Sequence, residues 1–222
     1  MKKPKFYRIF DYAKTLLPNK YLADLEENIA TIEQVKKSTG FSVGYPGWNL
    51  IYYLLMIHLE RDRFNHIVET GTNYGCTTII LAQAIQDSQT DGVVHTIEID
   101  HENYQKAISN FVEAKLNHLV KPICGDSKIE LPKIVNDLDI IRLAFLEGCH
   151  LLEDVIFEFE TIYPKLSPGS IVIFDNTYLI AEPTENQRVN GALNYIHKHC
   201  GGQLINLEFV SGYTPGIAIW QK

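Results

Sequence analysis

Cysteine is scarce in this chain of 222 residues: four in all, at 76, 124, 149 and 200, with no C-x-x-C pair. That spacing gives no zinc signature, and scattered single cysteines suit a reducing, cytoplasmic setting. No N-x-S/T acceptor occurs. No run of about 18 apolar residues exists, so no stable membrane insertion is expected. The basic start "MKKPKFYRIFDYAKTLLP" lacks an uninterrupted apolar stretch and a small-residue cleavage site, so no signal peptide is expected. Internal repeats, low-complexity tracts and linkers are also missing. The length then suits one large α/β domain better than two.

Positive charge is short as well. The net charge is −7, and it is unevenly placed. The first 20 residues hold six Lys/Arg and one Asp, +5; the rest hold 14 against 26 Asp/Glu, −12. An acidic body argues against nucleic-acid binding. The basic tip suits either a solvated helix face or contact with a partner or membrane surface.

What is present is a change of rhythm. Phe6, Ile9, Phe10, Ala13, Leu16 and Leu17 recur at helical spacing, closed by Pro18. Leu22, Leu25, Ile29, Ile32 and Val35 form a second stripe that ends near Gly40. "NLIYYLLMIHLERD" predicts a third helix. From residue 66 strands and helices alternate. Strands are expected at 66–70, 93–98, 119–124, 140–147 and 170–175, and helices near 76–87, 101–116, 128–136 and 150–165. "IRLAFLE" and "SIVIFD" are nearly all apolar, as in strands covered on both faces. After a helix near 187–199, "QLINLEFV" and "GIAIWQK" are joined by "SGYTP", which predicts an antiparallel hairpin. The expected fold is a Rossmann-like, mostly parallel seven-stranded sheet with helices on both faces and a C-terminal antiparallel hairpin. Residues 1–41 are expected to be a helical extension or lid, and 42–222 the main domain.

Ligands of open α/β sheets bind beyond the carboxyl ends of the strands. Each strand here ends in acidic or polar residues: Glu69-Thr70-Gly71, Glu98 and Asp100, Gly125-Asp126-Ser127, Glu147 with His150, and Asp175-Asn176. "GTNYG" lacks the third glycine of a dinucleotide fingerprint. Gly71 and Gly75 let a ligand approach the turn backbone. The helix that follows offers N–H groups for a carboxylate or phosphate, with Thr77 and Thr78 as hydroxyl donors. Glu98 is placed to accept both hydroxyls of a ribose, and a carboxylate there disfavours a 2′-phosphate. Asp126 and Ser127 suit an adenine edge. Alternatively "SKIE" is a capping box, with Ser127 as N-cap and Glu130 at N3. Glu147, Asp175 and Asn176 offer hard oxygen ligands for Mg²⁺ or Ca²⁺. Otherwise Glu147 caps the next helix and Asp175 accepts loop amides. His150 is a candidate general base, or a polar surface residue. Tyr45, Trp48, Tyr178 and Tyr213 are aromatic candidates for an acceptor pocket, or plain packing.

Taken in order, these segments resemble the class I S-adenosylmethionine-dependent methyltransferases, and more narrowly the catechol-type and macrocin-type small-molecule O-methyltransferases. "VETGTNYGCTT" resembles the methionine-binding motif, "TIEI" the ribose motif and "GDS" the adenine-side turn. "AFLEGCH" and "IVIFDN" resemble the two magnesium-holding segments. The resemblance covers about residues 42 to 222. It implies that Glu69, Gly71, Thr72, Asn73 and Gly75 shape the cofactor turn, and that Thr77 holds the methionine carboxylate. It also implies that Glu98 binds ribose, that Asp126 and Ser127 flank adenine, and that Glu147, Asp175 and Asn176 ligate the metal, with Glu147 at the cofactor as well. Two positions depart from the pattern. Residue 147 is Glu where the family usually has Asp. His150 stands where catechol-type enzymes have lysine, and the macrocin-like group often has histidine. The implied activity is metal-assisted methyl transfer to a small-molecule hydroxyl. The rival readings are an NAD-binding oxidoreductase and a non-catalytic methyltransferase-like binding protein. The apolar N-terminal helices are compatible with a homodimer.

Overall fold

The computed structural model describes residues 17–177, 187–207 and 214–222. The expected helix over Phe6, Ile9, Phe10, Ala13 and Leu16, the hairpin tip with Tyr213, and Tyr178 in the loop after the fifth strand lie outside these residues. The described elements are α1 (Lys20–Glu27), α2 (Ile32–Thr39), α3 (Gly47–His58), β1 (Asn65–Thr70), α4 (Cys76–Ser88), β2 (Gly92–Glu98) and α5 (His101–Glu113). They continue with β3 (Val120–Cys124), α6 (Ser127–Asp137), β4 (Ile141–Leu146), α7 (Leu152–Ile162), β5 (Leu166–Asp175), α8 (Val189–Cys200), β6 (Gln203–Leu207) and β7 (Ile217–Gln221).

The seven strands lie in the order β3-β2-β1-β4-β5-β7-β6. The first five are parallel. β7 inserts antiparallel between β5 and β6, which is the expected reversal at the C-terminus. Strand side chains alternate between two cores. Leu143, Phe145, Ile171 and Ile173 pack with Ile51, Leu55, Ile80 and Phe111 on one face. Ala144, Leu146, Val172 and Phe174 pack with Val155, Phe159, Leu193 and Ile196 on the other. β4 is buried along its whole length, as its unbroken apolar run requires. Strand order reverses between β1 and β4, so a crevice opens at their carboxyl ends. Among the described residues no helix is long and apolar enough to cross a membrane.

The structure corrects three local expectations. The stripe Leu22–Val35 is two helices, not one. Thr31 breaks it by accepting from Gln34 N, while the Gln34 side chain accepts from Thr31 N, a capping box inside an apolar pattern. The N-cap of α6 is Asp126, whose carboxylate accepts from Lys128 N, so Ser127 is the first helical residue. α5 ends at Glu113, because Lys115 takes a left-handed φ of 60°.

Candidate functional site

A cleft of about 470 Å³ occupies the predicted crevice. Gly71 and Asn73 after β1, Glu98 and Ile99 after β2, and Asp126 and Ser127 after β3 line it. Glu147, Gly148, Cys149 and His150 after β4 and Asn176 after β5 complete the wall. Of the predicted site residues, Glu69, Thr72, Gly75, Thr77 and Asp175 lie behind this surface.

Local packing explains the division. Gly71 has φ 80°, and a Cβ there would fall 2.6 Å from the Glu147 carbonyl oxygen. The turn therefore needs glycine in order to pass the β4 loop. Gly75 (φ 77°) is also packing-driven: a Cβ would enter the Phe111 ring and meet Ala107. α4 is buried from Cys76 through Ile85, so its early hydroxyls turn inward. Thr78 donates to Glu69 Oε2 at 2.5 Å, and Thr77 pairs with Ser42 at 3.0 Å. Thr72 pairs with Thr96 at 2.5 Å, and Thr96 donates to Glu69 Oε2 at 2.6 Å. Glu69 Oε1 has no partner. Burial above all, eased by the two threonines, pushes the Glu69 carboxyl up to about 7.

Glu98 fastens the turn. Its Oε2 accepts from Asn73 N at 2.6 Å and its Oε1 from Asp100 N at 2.8 Å. Asn73, itself at φ 50°, donates its side-chain amide to Gly40 O at 2.6 Å. That bond brings Gly40 and Phe41 onto the cleft rim. Trp48 is fully buried and Tyr45 packs on the core, so both serve packing.

On the other wall, Glu147 and Asp175 face each other from adjacent strand ends. Burial and their mutual proximity raise the Glu147 carboxyl well above its usual range, and burial raises Asp175 to about 6. A shared proton relieves such a pair, and so does a cation. Asp175 Oδ1 has no hydrogen-bond partner. Asn176 presents its NH₂, which donates to His150 Nε2 at 3.0 Å and to Asp175 Oδ2 at 3.2 Å. Among the described residues no three His, Cys, Asp or Glu side chains gather as a metal cage. The two carboxyls suit a hard cation, and Asn176 joins them as a ligand only with its amide turned round. Burial and the Arg188 charge lower the His150 pKa, so the ring is neutral at neutral pH with Nε2 as its basic nitrogen.

Sequence reasoning missed several wall residues. Ile99 is 71% exposed, an apolar side chain left open in the cleft. Lys128 pairs with Asp154, which also accepts from the Cys149 thiol at 2.7 Å. The signal for Ile99 was its place directly after Glu98; Asp154 carried none.

Residues 68–177 match the family of methyltransferase domains. That segment is a methyltransferase domain, in a chain with the class I methyltransferase fold. The sheet order and the reversed β7 are those of the class I methyltransferase fold. The chain superposes on the O-methyltransferase TomG from Streptomyces achromogenes, solved with SAM, with a TM-score of 0.70 at 20% identity, covering 91% of this chain and 89% of that one. An O-methyltransferase from Bacillus cereus, solved with SAH, gives 0.73 at 20% identity, covering 92% and 91%. A methyltransferase from Podospora anserina, also SAH-bound, gives 0.68 at 12%, covering 90% and 87%. In sequence, the chain is 25% identical over 181 residues to the uncharacterized protein y4gI of Sinorhizobium fredii (strain NBRC 101917 / NGR234), covering 72% of this chain. It spans only 19% of that relative's length.

Proposed function

We propose that the cleft binds S-adenosylmethionine and that the protein moves its methyl group to a hydroxyl of a small molecule. The observation that carries the reading is Glu98, a buried carboxylate at the end of β2 that lines the cleft opposite the 147–150 wall. Each of its oxygens holds one backbone N–H and keeps a second lone pair, enough for the two hydroxyls of a ribose. Ile99 offers an apolar face to adenine, and Asp126 and Ser127 border the ring edge. The Gly71–Asn73 turn takes the methionine end. Thr77 stands behind it and acts through Ser42. S-adenosyl ligands in three fold neighbours support this reading.

S-adenosylmethionine would supply a reactive sulfonium methyl, so the chain's own work is alignment and proton transfer. The acceptor hydroxyl is placed at the 147–176 wall. Neutral His150 takes its proton on Nε2 once Asn176 gives up its bond there. Mg²⁺ or Ca²⁺, if held by the Glu147 and Asp175 carboxylates and a turned Asn176 oxygen, would lower the pKa of that hydroxyl. Residues 1–41 are assigned as a lid over a domain of 42–222, supported by the Asn73–Gly40 bond. No nucleic-acid partner is assigned to the acidic body, and a cytoplasmic location and homodimer remain part of the proposal.

The test is transfer of labelled methyl groups to a panel of phenolic and sugar hydroxyls, with and without EDTA. His150→Gln is expected to lower the rate about 10²- to 10⁴-fold. EDTA and Asp175→Ala are expected to lower it together. A full rate after His150→Gln places the base elsewhere, and a full rate after both metal tests removes the cation from the mechanism.

A further inference from the structure

We propose that Phe41 is a specificity-determining residue, whose ring closes the cleft over the donor sulfur and favours the positively charged S-adenosylmethionine over its neutral product. This rests on the S-adenosyl reading of the cleft.

Gly40 and Phe41 follow α2 in two consecutive left-handed conformations, with φ 64° and 66°. Glycine suits that region, and Gly40 serves there as the C-cap of the helix. A bulky aromatic does not, and it persists in such a conformation only where its surroundings hold it. Here they hold it from both sides. Just before the ring, Gly40 O accepts from the Asn73 side-chain amide at 2.6 Å. Just after it, the buried Ser42 hydroxyl pairs with Thr77 at 3.0 Å and accepts from the Trp48 indole at 3.3 Å. Thr214 then donates to Val43 O at 3.0 Å. Packing does not call for the ring. Val43 and Trp48 are fully buried, whereas Phe41 is left 44% exposed, on the cleft.

Asn73 fixes which part of the ligand the ring meets. Its backbone N–H donates to Glu98 Oε2, on the carboxylate read as the ribose acceptor, and its side chain donates to Gly40 O. One residue thus joins the ribose site to the neighbour of Phe41. In S-adenosylmethionine the sulfur links the ribose to the methionine chain. With the ribose at Glu98 and the methionine at the Gly71–Asn73 turn, the sulfonium falls between them, beside Asn73. Among the described residues, Phe41 supplies the only benzene ring of the cleft wall.

The face of such a ring attracts a cation. The cleft acids Glu98 and Glu147 attract one too, but their oxygen lone pairs are open to alkylation by the sulfonium methyl. A ring stabilises the charge and offers no such nucleophile. Methyl transfer removes the charge, so this contribution goes to the donor and not to the product.

The experiment is calorimetric titration of the whole protein with S-adenosylmethionine and, separately, with S-adenosylhomocysteine. The quantity read is the ratio of the two affinities. Phe41→Leu keeps an apolar side chain at the same φ but removes the ring. It is expected to shift the ratio about three- to thirtyfold against S-adenosylmethionine. Phe41→Tyr keeps the ring and is expected to keep the wild-type ratio. An unchanged ratio in Phe41→Leu overturns the proposal, whether both affinities stay or both fall equally. If circular dichroism shows that variant unfolded, Phe41→Asn takes its place, because asparagine tolerates the left-handed region. The same shift is expected of it, and an unchanged ratio there overturns the proposal equally. A wild type that binds neither ligand overturns the reading of the cleft, and this proposal with it. A wild type that binds both, beside ringless variants with the same ratio, overturns the role of Phe41 alone.

Discussion

Gly71→Ala is expected to lower the thermal unfolding midpoint by on the order of 10 °C and to abolish S-adenosylhomocysteine binding. Two costs add. A left-handed φ of 80° strains any L side chain, by about 1–2 kcal/mol. The new Cβ would also lie 2.6 Å from Glu147 O, 2.7 Å from Glu147 C and 2.8 Å from Gly148 Cα. All three are backbone atoms, so no side chain can swing away and β1 must part from the β4 loop. Overpacking of this kind costs about 1–3 kcal/mol. Gly169→Ala is the control. Its φ is 85° with nothing within 4 Å of the added Cβ. It carries strain without a clash, and a midpoint drop of only about 2–6 °C is expected. Thermal melts followed by circular dichroism compare the two. Equal losses would show that the β1–β4 contact is not the reason for the glycine.

Glu98→Ala is expected to weaken S-adenosylhomocysteine about 100-fold or more, equivalent to about 3 kcal/mol. Three interactions are lost together. Asn73 N and Asp100 N lose a charged acceptor, each such bond being worth about 1.5–3 kcal/mol. The ribose hydroxyls lose theirs as well. Glu98→Gln keeps the shape and one acceptor oxygen, and about a tenfold loss is expected of it. Calorimetry separates the two variants. Unaltered affinity in Glu98→Ala would mean that the ligand does not reach the β2 end.

The central sheet was legible because its strands are short apolar runs that stop at an acid or a glycine. "SIVIFD" ends where β5 ends, at Asp175. β7 was legible because "SGYTP" leaves no room for a crossover. The strand-end acids were legible for the same reason, as each breaks an apolar run. The break between the N-terminal helices was not legible, because Thr31 and Gln34 make a cap within a continuous apolar stripe. Position alone points Thr77 and Thr78 at the ligand, but α4 is buried on every side at its start, so their hydroxyls serve Ser42 and Glu69. No spacing rule reports that rotation. The S-x-x-E spacing names Ser127 as an N-cap, a place that Asp126 takes one residue earlier.

The central claim is that this methyltransferase domain holds an S-adenosyl ligand between Gly71, Glu98 and Ser127. Calorimetric titration of the wild-type protein with S-adenosylhomocysteine, beside a parallel titration with NAD, tests it most directly. One molecule bound per chain with the first ligand, and no heat with the second, is the predicted result. No binding of S-adenosylhomocysteine, or saturable binding of NAD in its place, would contradict it.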